Sequence, residues 1–371
     1  MIVLIAINKP LIGEEEKEEV MKVLSSGKLT DSSFDGSSTV REFEKNLAKF
    51  VGVKHAIAVN SGTSALLASL IALDISYGDE VLIPSFTFIA TANIVLARGA
   101  RPVFVDINLE DYTMDINDLE RKITSRSKAI IPVHLYGHPS NMDGIIKLAK
   151  EHDLFVIEDA AQSLGSSYKD NKTGSIGNLG CFSFYSTKVI TCGEGGAITT
   201  NDDDLYIKLK KIRNHGITAY YNPDVLGLNL RMPEMEAALI NVQMKKIESF
   251  LEKRRKNAKI LSEYLEGLKG INLPKEKKGC VHNWYLYTIS LEKNRDAILK
   301  ILNDKGIGAT VYYRIPIHKT ELYKKFGDYK LPKTVWASEH VMSLPVHPEL
   351  TEQDISNVAS SVRDAIKLII E

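Results

Sequence analysis

The sequence has little net charge and little cysteine, and both shortages exclude classes of protein. Among its 371 residues, 47 Lys and Arg balance 47 Asp and Glu, so no bulk field attracts nucleic acid or an anionic membrane surface. The three cysteines, Cys181, Cys192 and Cys280, have no Cys-x-x-Cys spacing, which argues against a disulfide framework and a structural zinc site. We expect a reducing compartment, the cytoplasm, with no nucleic-acid partner and no membrane partner.

Long apolar runs are absent as well. No window approaches the roughly 20 apolar residues that span a bilayer. The apolar residues 1–7 lack a basic flank and continue into Asn8-Lys9-Pro10 without a small-residue cleavage site. We therefore expect an extended N-terminal arm rather than an export signal. The length and the 44% apolar fraction predict a globular chain of two or three domains.

Short β-rich runs alternate with helix-like stretches between residues 54 and 200, a pattern typical of a largely parallel sheet covered by helices. Seven runs are strand candidates: residues 56–59, 81–83, 102–105, 129–133, 154–157, 181–184 and 197–200. They are nearly continuous apolar runs, as expected where both faces of a sheet are covered. Ligands bind beyond the carboxyl ends of such strands, so the polar residues that follow the runs are candidates for one site. The alternative is that they are ordinary polar loops.

The last third of the chain has a different order of predicted helices and strands. A helical pattern extends from Glu234 to about residue 268. A strand at 285–291, a helix at 296–304, a strand at 308–313 and a final helix from Thr351 follow it. We predict a large α/β domain over residues 1–245 and a small α+β domain over residues 246–371.

Three of the polar stretches that follow predicted strands have chemistry of their own. Ser61-Gly62-Thr63 opens a helix, where it could bind phosphate or serve as an ordinary N-cap. Glu158 and Asp159 end a buried strand, where one carboxylate could meet a cationic ligand atom or cap the next helix. Lys188 lies between an aromatic strand and a Gly-rich turn; it could be a buried amine nucleophile, although a lone lysine is usually a surface charge. Together these are the parts that pyridoxal phosphate requires.

The motifs, in their order along the chain, resemble those of the DegT/StrS-type sugar aminotransferases. The resemblance covers nearly the whole chain and is carried by NKPLIGEEE at 8–16, SGTSA at 61–65, PSFTF at 84–88, PVHLYG at 132–137, EDAAQ at 158–162, GEGG at 193–196, RNHG at 213–216 and SLPVHP at 343–348. It implies the pyridoxal phosphate-dependent transferase fold of the aspartate aminotransferase type. That fold is α/β, with a seven-stranded mainly parallel sheet in the large domain and a smaller α+β C-terminal domain.

The resemblance also implies how the cofactor is bound. Lys188 would form the Schiff base with pyridoxal 5'-phosphate, and Asp159 would pair with the pyridine nitrogen. Gln162 would contact the ring hydroxyl, and Phe88 would lie against the ring. Dehydratase relatives carry His at the lysine position, so Lys188 favours transamination.

Further residues of the resemblance concern the phosphate and the subunits. Gly62, Thr63 and Ser183 would hold the phosphate. Asn229 would reach the phosphate of the neighbouring subunit, which implies a homodimer with shared active sites. Without the resemblance, Asn229 is an ordinary loop amide.

The function implied by the resemblance is the transfer of an amino group, with L-glutamate as the expected donor, to a keto sugar linked to a nucleoside diphosphate. Tyr313 and His318 fall in a region that lines the sugar pocket in relatives. The alternative is a catalytically silent member that binds the cofactor or a sugar nucleotide as a sensor. The identity of the sugar depends on the segments 28–39, 220–226 and 312–319, which no motif defines.

Other conspicuous residues have simpler explanations. Cys192 lacks an obvious His partner, so we predict a packing residue rather than a nucleophile. The histidines have no metal-binding spacing, and we expect no metal. The charge runs at 14–19 and 253–256 are expected to form solvated helix faces.

Overall fold

Helices and short strands alternate along residues 5–218 and 222–370, the part of the chain that the computed structural model describes. The helices are α1 (Glu14–Ser26), α2 (Ser38–Val51), α3 (Gly62–Ala72), α4 (Ala90–Ala97), α5 (Ile116–Lys122), α6 (Met142–Glu151), α7 (Asp203–Arg213), α8 (Glu234–Leu265), α9 (Arg295–Asp304), α10 (Pro332–His340) and α11 (Glu352–Ile370). The strands are β1 (His55–Val59), β2 (Glu80–Pro84), β3 (Arg101–Val105), β4 (Ser127–Ile130), β5 (Phe155–Asp159), β6 (Ser167–Tyr168), β7 (Asn171–Lys172), β8 (Leu179–Ser183), β9 (Gly196–Thr200), β10 (Ile271–Asn272), β11 (Cys280–Val281), β12 (Tyr287–Leu291) and β13 (Val341–Leu344). Within these residues no helix is long and apolar enough to cross a membrane.

A seven-stranded sheet in the order β1-β9-β8-β5-β4-β2-β3 forms the centre of the large part of the molecule. Strand β9 runs antiparallel to both of its neighbours, and the other adjacent pairs are parallel. Every predicted strand between residues 54 and 200 belongs to this sheet, so the predicted fold class is confirmed. The carboxyl ends of six strands therefore meet at one edge of the sheet.

The helices beside the sheet form because their apolar residues share a face. In α2, Val40, Phe43 and Leu47 recur at helical spacing and are buried. Ser37 caps this helix, since its hydroxyl oxygen accepts a hydrogen bond from the Val40 N–H at 3.1 Å. In α3, nearly every residue from Ala65 onward is buried, because this helix packs directly on the sheet.

Helix α8 connects two hydrophobic cores. Its first half, including Ile240 and Ile247, packs in the core that also contains residues of α2 and β8. Its second half, including Leu261 and Leu265, packs with β12, β13, α9 and α11. The predicted domain boundary at residue 245 lies within this continuous helix, and the division into two domains stays a prediction.

The predicted strand at 308–313 is wrong. The Gly308 N–H donates to the Ile5 carbonyl at 2.7 Å, and Thr310 forms a single bridge with Ser343, so the chain divides its backbone hydrogen bonds between two neighbours. The third strand of the small sheet is instead β13, paired with β12. The predicted start of the last helix is confirmed, because the Thr351 hydroxyl oxygen accepts a hydrogen bond from the Asp354 N–H at 3.1 Å.

The expectation that both charge runs form solvated helix faces is wrong for one residue of each run. Glu16 is buried, and its carboxylate accepts hydrogen bonds from Gln243 Nε2 at 2.7 Å and Lys246 Nζ at 2.8 Å, which fastens α1 to α8. Arg254 is buried on α8. A helix turns inward every three or four residues, so a run of four or more charges places one of them on its inner face.

Candidate active site

The predicted site residues that follow different strands lie at the edge of the sheet where six strands end. Asp159 is the last residue of β5, Ser183 is the last residue of β8, and Gly62 is the first residue of α3, which follows β1. Gln162, Ser183 and Lys188 line one small cavity there. The structure thus brings together residues that are more than 120 positions apart in sequence.

Lys188 extends into this cavity from the loop after β8. Its backbone N–H donates to the Tyr185 carbonyl at 2.9 Å, which closes a turn before the lysine. Its Nζ lies 4.8 Å from the centroid of the Tyr285 ring. Because Leu164, Ile190 and the Tyr285 ring also line the cavity, the amine is in a largely apolar enclosure.

The acidic pair at the end of β5 divides into two roles because successive side chains of a strand point to opposite faces. Glu158 is fully buried, and its oxygens accept hydrogen bonds from the Ile176 and Gly177 N–H groups at 2.7 Å. It also accepts from the Gly174 N–H at 2.8 Å and from His134 Nε2 at 2.9 Å. All four donors belong to the fold, so Glu158 is structural.

Asp159 points to the opposite face from Glu158, and it is close enough to Lys188 for the charge of the lysine to act on it. Its Oδ2 accepts a hydrogen bond from the Thr91 hydroxyl at 2.8 Å, and its Oδ1 accepts one from the Ala161 N–H at 3.3 Å. Burial raises the pKa of Asp159, because a buried carboxylate loses its hydration, while Thr91 and the charge of Lys188 act in the opposite direction. A cationic ligand atom beside Asp159 would compensate the cost of keeping it charged.

The start of α3 forms a cradle for an anion. The Ser64 N–H donates to Ser61 Oγ at 3.1 Å, whereas in the described part of the chain the N–H groups of Gly62 and Thr63 donate to no protein acceptor. A Cβ atom on Gly62 would lie only 2.8 Å from the Ser183 Cβ, so glycine leaves the room for Ser183 to approach. Two free amides at a helix N-terminus beside a hydroxyl suit a phosphate group.

Gln162, which lines the cavity, contacts Tyr313, and Tyr313 in turn lies beside Phe88. Gln162 Oε1 accepts a hydrogen bond from the Tyr136 N–H at 2.7 Å, and its Nε2 donates to the Tyr313 hydroxyl at 3.2 Å. The Phe88 ring is 56% exposed and its centroid lies 6.3 Å from that of Tyr313. The exposed Phe88 ring therefore leaves an aromatic surface open to a ligand.

Asn229 and His318 lie outside this cluster. The Asn229 side chain is exposed, and its backbone carbonyl accepts a hydrogen bond from Asn60 Nδ2 at 3.4 Å, next to the turn that enters α3. The His318 ring is buried, with Nδ1 2.7 Å from Ser85 Oγ, and burial lowers its pKa to about 4. The roles that the resemblance implies for these two residues stay predictions.

Sequence reasoning missed Thr91 and Tyr285. Thr91 follows the PSFTF motif by three positions, and this proximity is the one signal that could have suggested it. Tyr285 precedes β12 in the small sheet, and nothing local in the sequence indicates that its ring meets Lys188. Cys192 is buried and its thiol donates to the Glu194 carbonyl at 3.1 Å, so its predicted packing role is confirmed. Within residues 5–218 and 222–370, no three potential metal ligands form a cluster.

Known proteins resemble this chain in sequence and in structure. Residues 10–363 match the model of the DegT/DnrJ/EryC1/StrS aminotransferase family. The UDP-N-acetyl-3-dehydro-alpha-D-glucosamine 3-aminotransferase of Acidithiobacillus ferrooxidans is 42% identical, over 90% of each chain. The GDP-perosamine synthase of Caulobacter vibrioides is 37% identical, over 96% of this chain and 97% of that one. The Streptococcus pneumoniae protein Spr1654, solved in its PLP form, superposes with a TM-score of 0.92 at 27% identity, covering 99% of this chain and 100% of that chain.

Proposed function

The chain belongs to the DegT/DnrJ/EryC1/StrS aminotransferase family, and we propose that this aminotransferase uses pyridoxal phosphate to transfer an amino group from L-glutamate to a keto sugar linked to a nucleoside diphosphate. The observation that supports the cofactor most directly is the arrangement of the Lys188 amine, the buried Asp159 carboxylate and the anion cradle at Gly62 and Thr63 around one edge of the sheet.

The residues present fit each part of pyridoxal phosphate. The free amides of Gly62 and Thr63, with the Ser183 hydroxyl, would hold its phosphate. Asp159 would pair with its pyridine nitrogen, and the ring would then supply an electron sink for the reaction. The Gln162 amide, held by the Tyr136 N–H, would donate to the ring hydroxyl, and Phe88 would cover one face of the ring.

Lys188 would hold and move the proton of the reaction. Its amine lies in the largely apolar cavity against the Tyr285 ring, and the Tyr285 hydroxyl lies 3.0 Å from Thr187 Oγ1. As general base and acid, Lys188 would take a proton from the donor carbon that carries the amino group, and it would give a proton to the sugar carbon that receives the amino group.

The substrate class rests on the relatives. The two reported above are named for a UDP-linked and a GDP-linked sugar, and what they share is a sugar carried by a nucleoside diphosphate. Tyr313, beside the Phe88 ring that would cover the cofactor, would give the sugar an aromatic surface. We further propose a homodimer, because the exposed Asn229 amide is available to a second subunit.

Absorption spectroscopy tests the cofactor and the reaction together. The purified protein with pyridoxal phosphate should show the visible band of a cofactor bound to lysine, and L-glutamate should bleach it. Lys188→Ala should lose the band, whereas Lys172→Ala, which removes another lysine that lies over an aromatic ring, should keep it. A keto-sugar nucleotide, screened across UDP, GDP and dTDP derivatives, should restore the band after bleaching. A band that no amino donor alters would instead support the catalytically silent sensor.

A further inference from the structure

Arg254 is a buried guanidinium on α8, and among the described residues its hydrogen-bond partners are all uncharged groups. Buried charges are normally paired, and an apolar residue of similar volume could fill such a place at lower cost. Burial lowers the pKa of Arg254 to about 10. Its hydrogen bonds go to neutral acceptors: Nη1 donates to the Trp284 carbonyl at 3.4 Å and to the Tyr285 carbonyl at 3.2 Å, and Nη2 donates to Asn8 Oδ1 at 2.8 Å. A charge held at this cost calls for an explanation.

Two of the residues that accept from Arg254, Asn8 and Tyr285, also contact the Lys188 segment. Asn8 Nδ2 donates to the carbonyl of Thr187, the residue before the lysine, at 2.6 Å. The Tyr285 ring lies against Lys188 Nζ, with 4.8 Å between the amine and the ring centroid, and its hydroxyl lies 3.0 Å from Thr187 Oγ1. One branch therefore holds the backbone of the lysine loop, and the other holds the backbone of the residue whose ring faces the amine.

These contacts join segments that are distant in the chain. Asn8 lies before α1, Arg254 lies in the second half of α8, and Tyr285 lies just before β12 of the small sheet. The loop that carries Lys188 follows β8 of the large sheet. A guanidinium presents its donors in a rigid planar fork, so one residue can orient acceptors in two directions at once, which the single ammonium of lysine does less well.

We propose that Arg254 is a positioning residue for Lys188, acting through Asn8 on the lysine backbone and through Tyr285 on the lysine amine. This inference rests on the proposed function of Lys188 and extends it to Asn8, Arg254 and Tyr285. Arg254 touches neither the amine nor the cavity itself, so its effect is indirect.

Two variants separate positioning from stability. Asn8→Ala removes the side chain that connects Arg254 to the Thr187 carbonyl and keeps the buried charge. Arg254→Lys keeps a positive charge but replaces the planar guanidinium by a single ammonium group. Asn303→Ala is the matched control, because Asn303 Nδ2 also donates to a carbonyl, that of Leu299 at 3.0 Å, far from the site. In the protein without cofactor, hydrogen exchange of the amides of residues 185–188 should quicken in Asn8→Ala and Arg254→Lys, and should be unchanged in Asn303→Ala.

With pyridoxal phosphate bound, the pH at which the visible band changes should shift in both variants, and kcat should fall on the order of tenfold while KM for the sugar nucleotide changes little. If both variants only lower the unfolding temperature and keep the exchange rates, the band titration and kcat of the unmodified protein, Arg254 is structural and the inference is wrong. If the unmodified protein itself shows no lysine-bound band, the proposed function fails, and the exchange experiment still decides whether Arg254 orders the lysine loop.

Discussion

The Thr91 hydroxyl donates a hydrogen bond of 2.8 Å to Asp159 Oδ2, which joins the first turn of α4 to the end of β5. With the Ala161 N–H on Oδ1 at 3.3 Å, this contact fixes the plane of the carboxylate and leaves its remaining lone pairs for the site. Hydrogen bonds to a carboxylate favour its charged form, so Thr91 opposes the effect of burial on the pKa of Asp159.

Replacing Thr91 by Val should therefore weaken the pairing of Asp159 with a cationic ring nitrogen. A hydrogen bond to a charged group contributes roughly 1.5–3 kcal/mol, so we expect kcat/KM to fall about tenfold or more. Thr91→Ser keeps the hydroxyl and should stay close to the unmodified enzyme. Steady-state kinetics with L-glutamate check both variants, and equal rates for Val and Ser would show that the hydroxyl is not needed.

Replacing Glu158 by Gln should mainly affect stability. The carboxylate accepts from three backbone N–H groups and from His134, and an amide would point its own N–H₂ group at some of these donors. Leaving buried donors unpaired costs about 1–3 kcal/mol each, so urea unfolding should show a loss of several kcal/mol. Normal stability with lost turnover would contradict the structural role assigned to Glu158.

Much of the fold could be predicted because its determinants are local. The strands of the large sheet are continuous apolar runs, and the last helix begins where Thr351 and Asp354 form reciprocal hydrogen bonds. Strand alternation also requires Glu158 and Asp159 to point to opposite faces. The turn at 174–177 decides which of these two residues points toward the site. It supplies three backbone donors to Glu158 and none to Asp159.

The remainder depends on contacts between segments that are distant in sequence. Thr91 is 68 residues from Asp159, and Thr187 is 98 residues from Tyr285, so no local period connects them. Arg254 stands in a basic run that predicts a solvated face, and it is buried where Asn8 and residues 284–285 contact α8. The irregular chain at 308–313 also depends on a distant contact. The Gly308 N–H donates to the Ile5 carbonyl and is therefore not available to a neighbouring strand.

Replacing Gly62 by Ala should close the anion cradle. The new Cβ would lie 2.8 Å from the Ser183 Cβ, a distance at which either the helix start or the serine must move. Pyridoxal phosphate should then bind on the order of tenfold more weakly, which equilibrium dialysis measures. Gly13→Ala, at the start of α1, is the matched control, because its Cβ would meet Glu16 Oε2 at an ordinary 3.4 Å. Equal affinity in the two variants would exclude the cradle as the phosphate site.

Replacing Asp159 by Asn should abolish turnover and leave the fold intact, with an effect on stability that depends on pH. In the protein without cofactor, burial raises the pKa of Asp159 above its ordinary value of 3.8. At pH values between 3.8, the ordinary pKa that applies in the unfolded state, and the raised pKa of the folded state, the folded state binds more protons than the unfolded state. The stability of the unmodified protein therefore falls as pH rises through this window. The amide of the Asp159→Asn variant does not titrate, so the stability of the variant does not fall in this pH window.

The free energy of unfolding, measured in urea without cofactor, should therefore increase in Asp159→Asn relative to the unmodified protein as pH rises from 3.8. This difference should become constant above the raised pKa of Asp159. With pyridoxal phosphate present the order should reverse at neutral pH, because the bound cofactor stabilises the protein that binds it more tightly. Glu158→Gln, measured alongside, should show no such reversal. A stability difference from the unmodified protein that does not change with pH in the absence of cofactor would contradict the raised pKa of Asp159. Full activity of the variant would refute the assignment of Asp159 as the partner of the ring nitrogen.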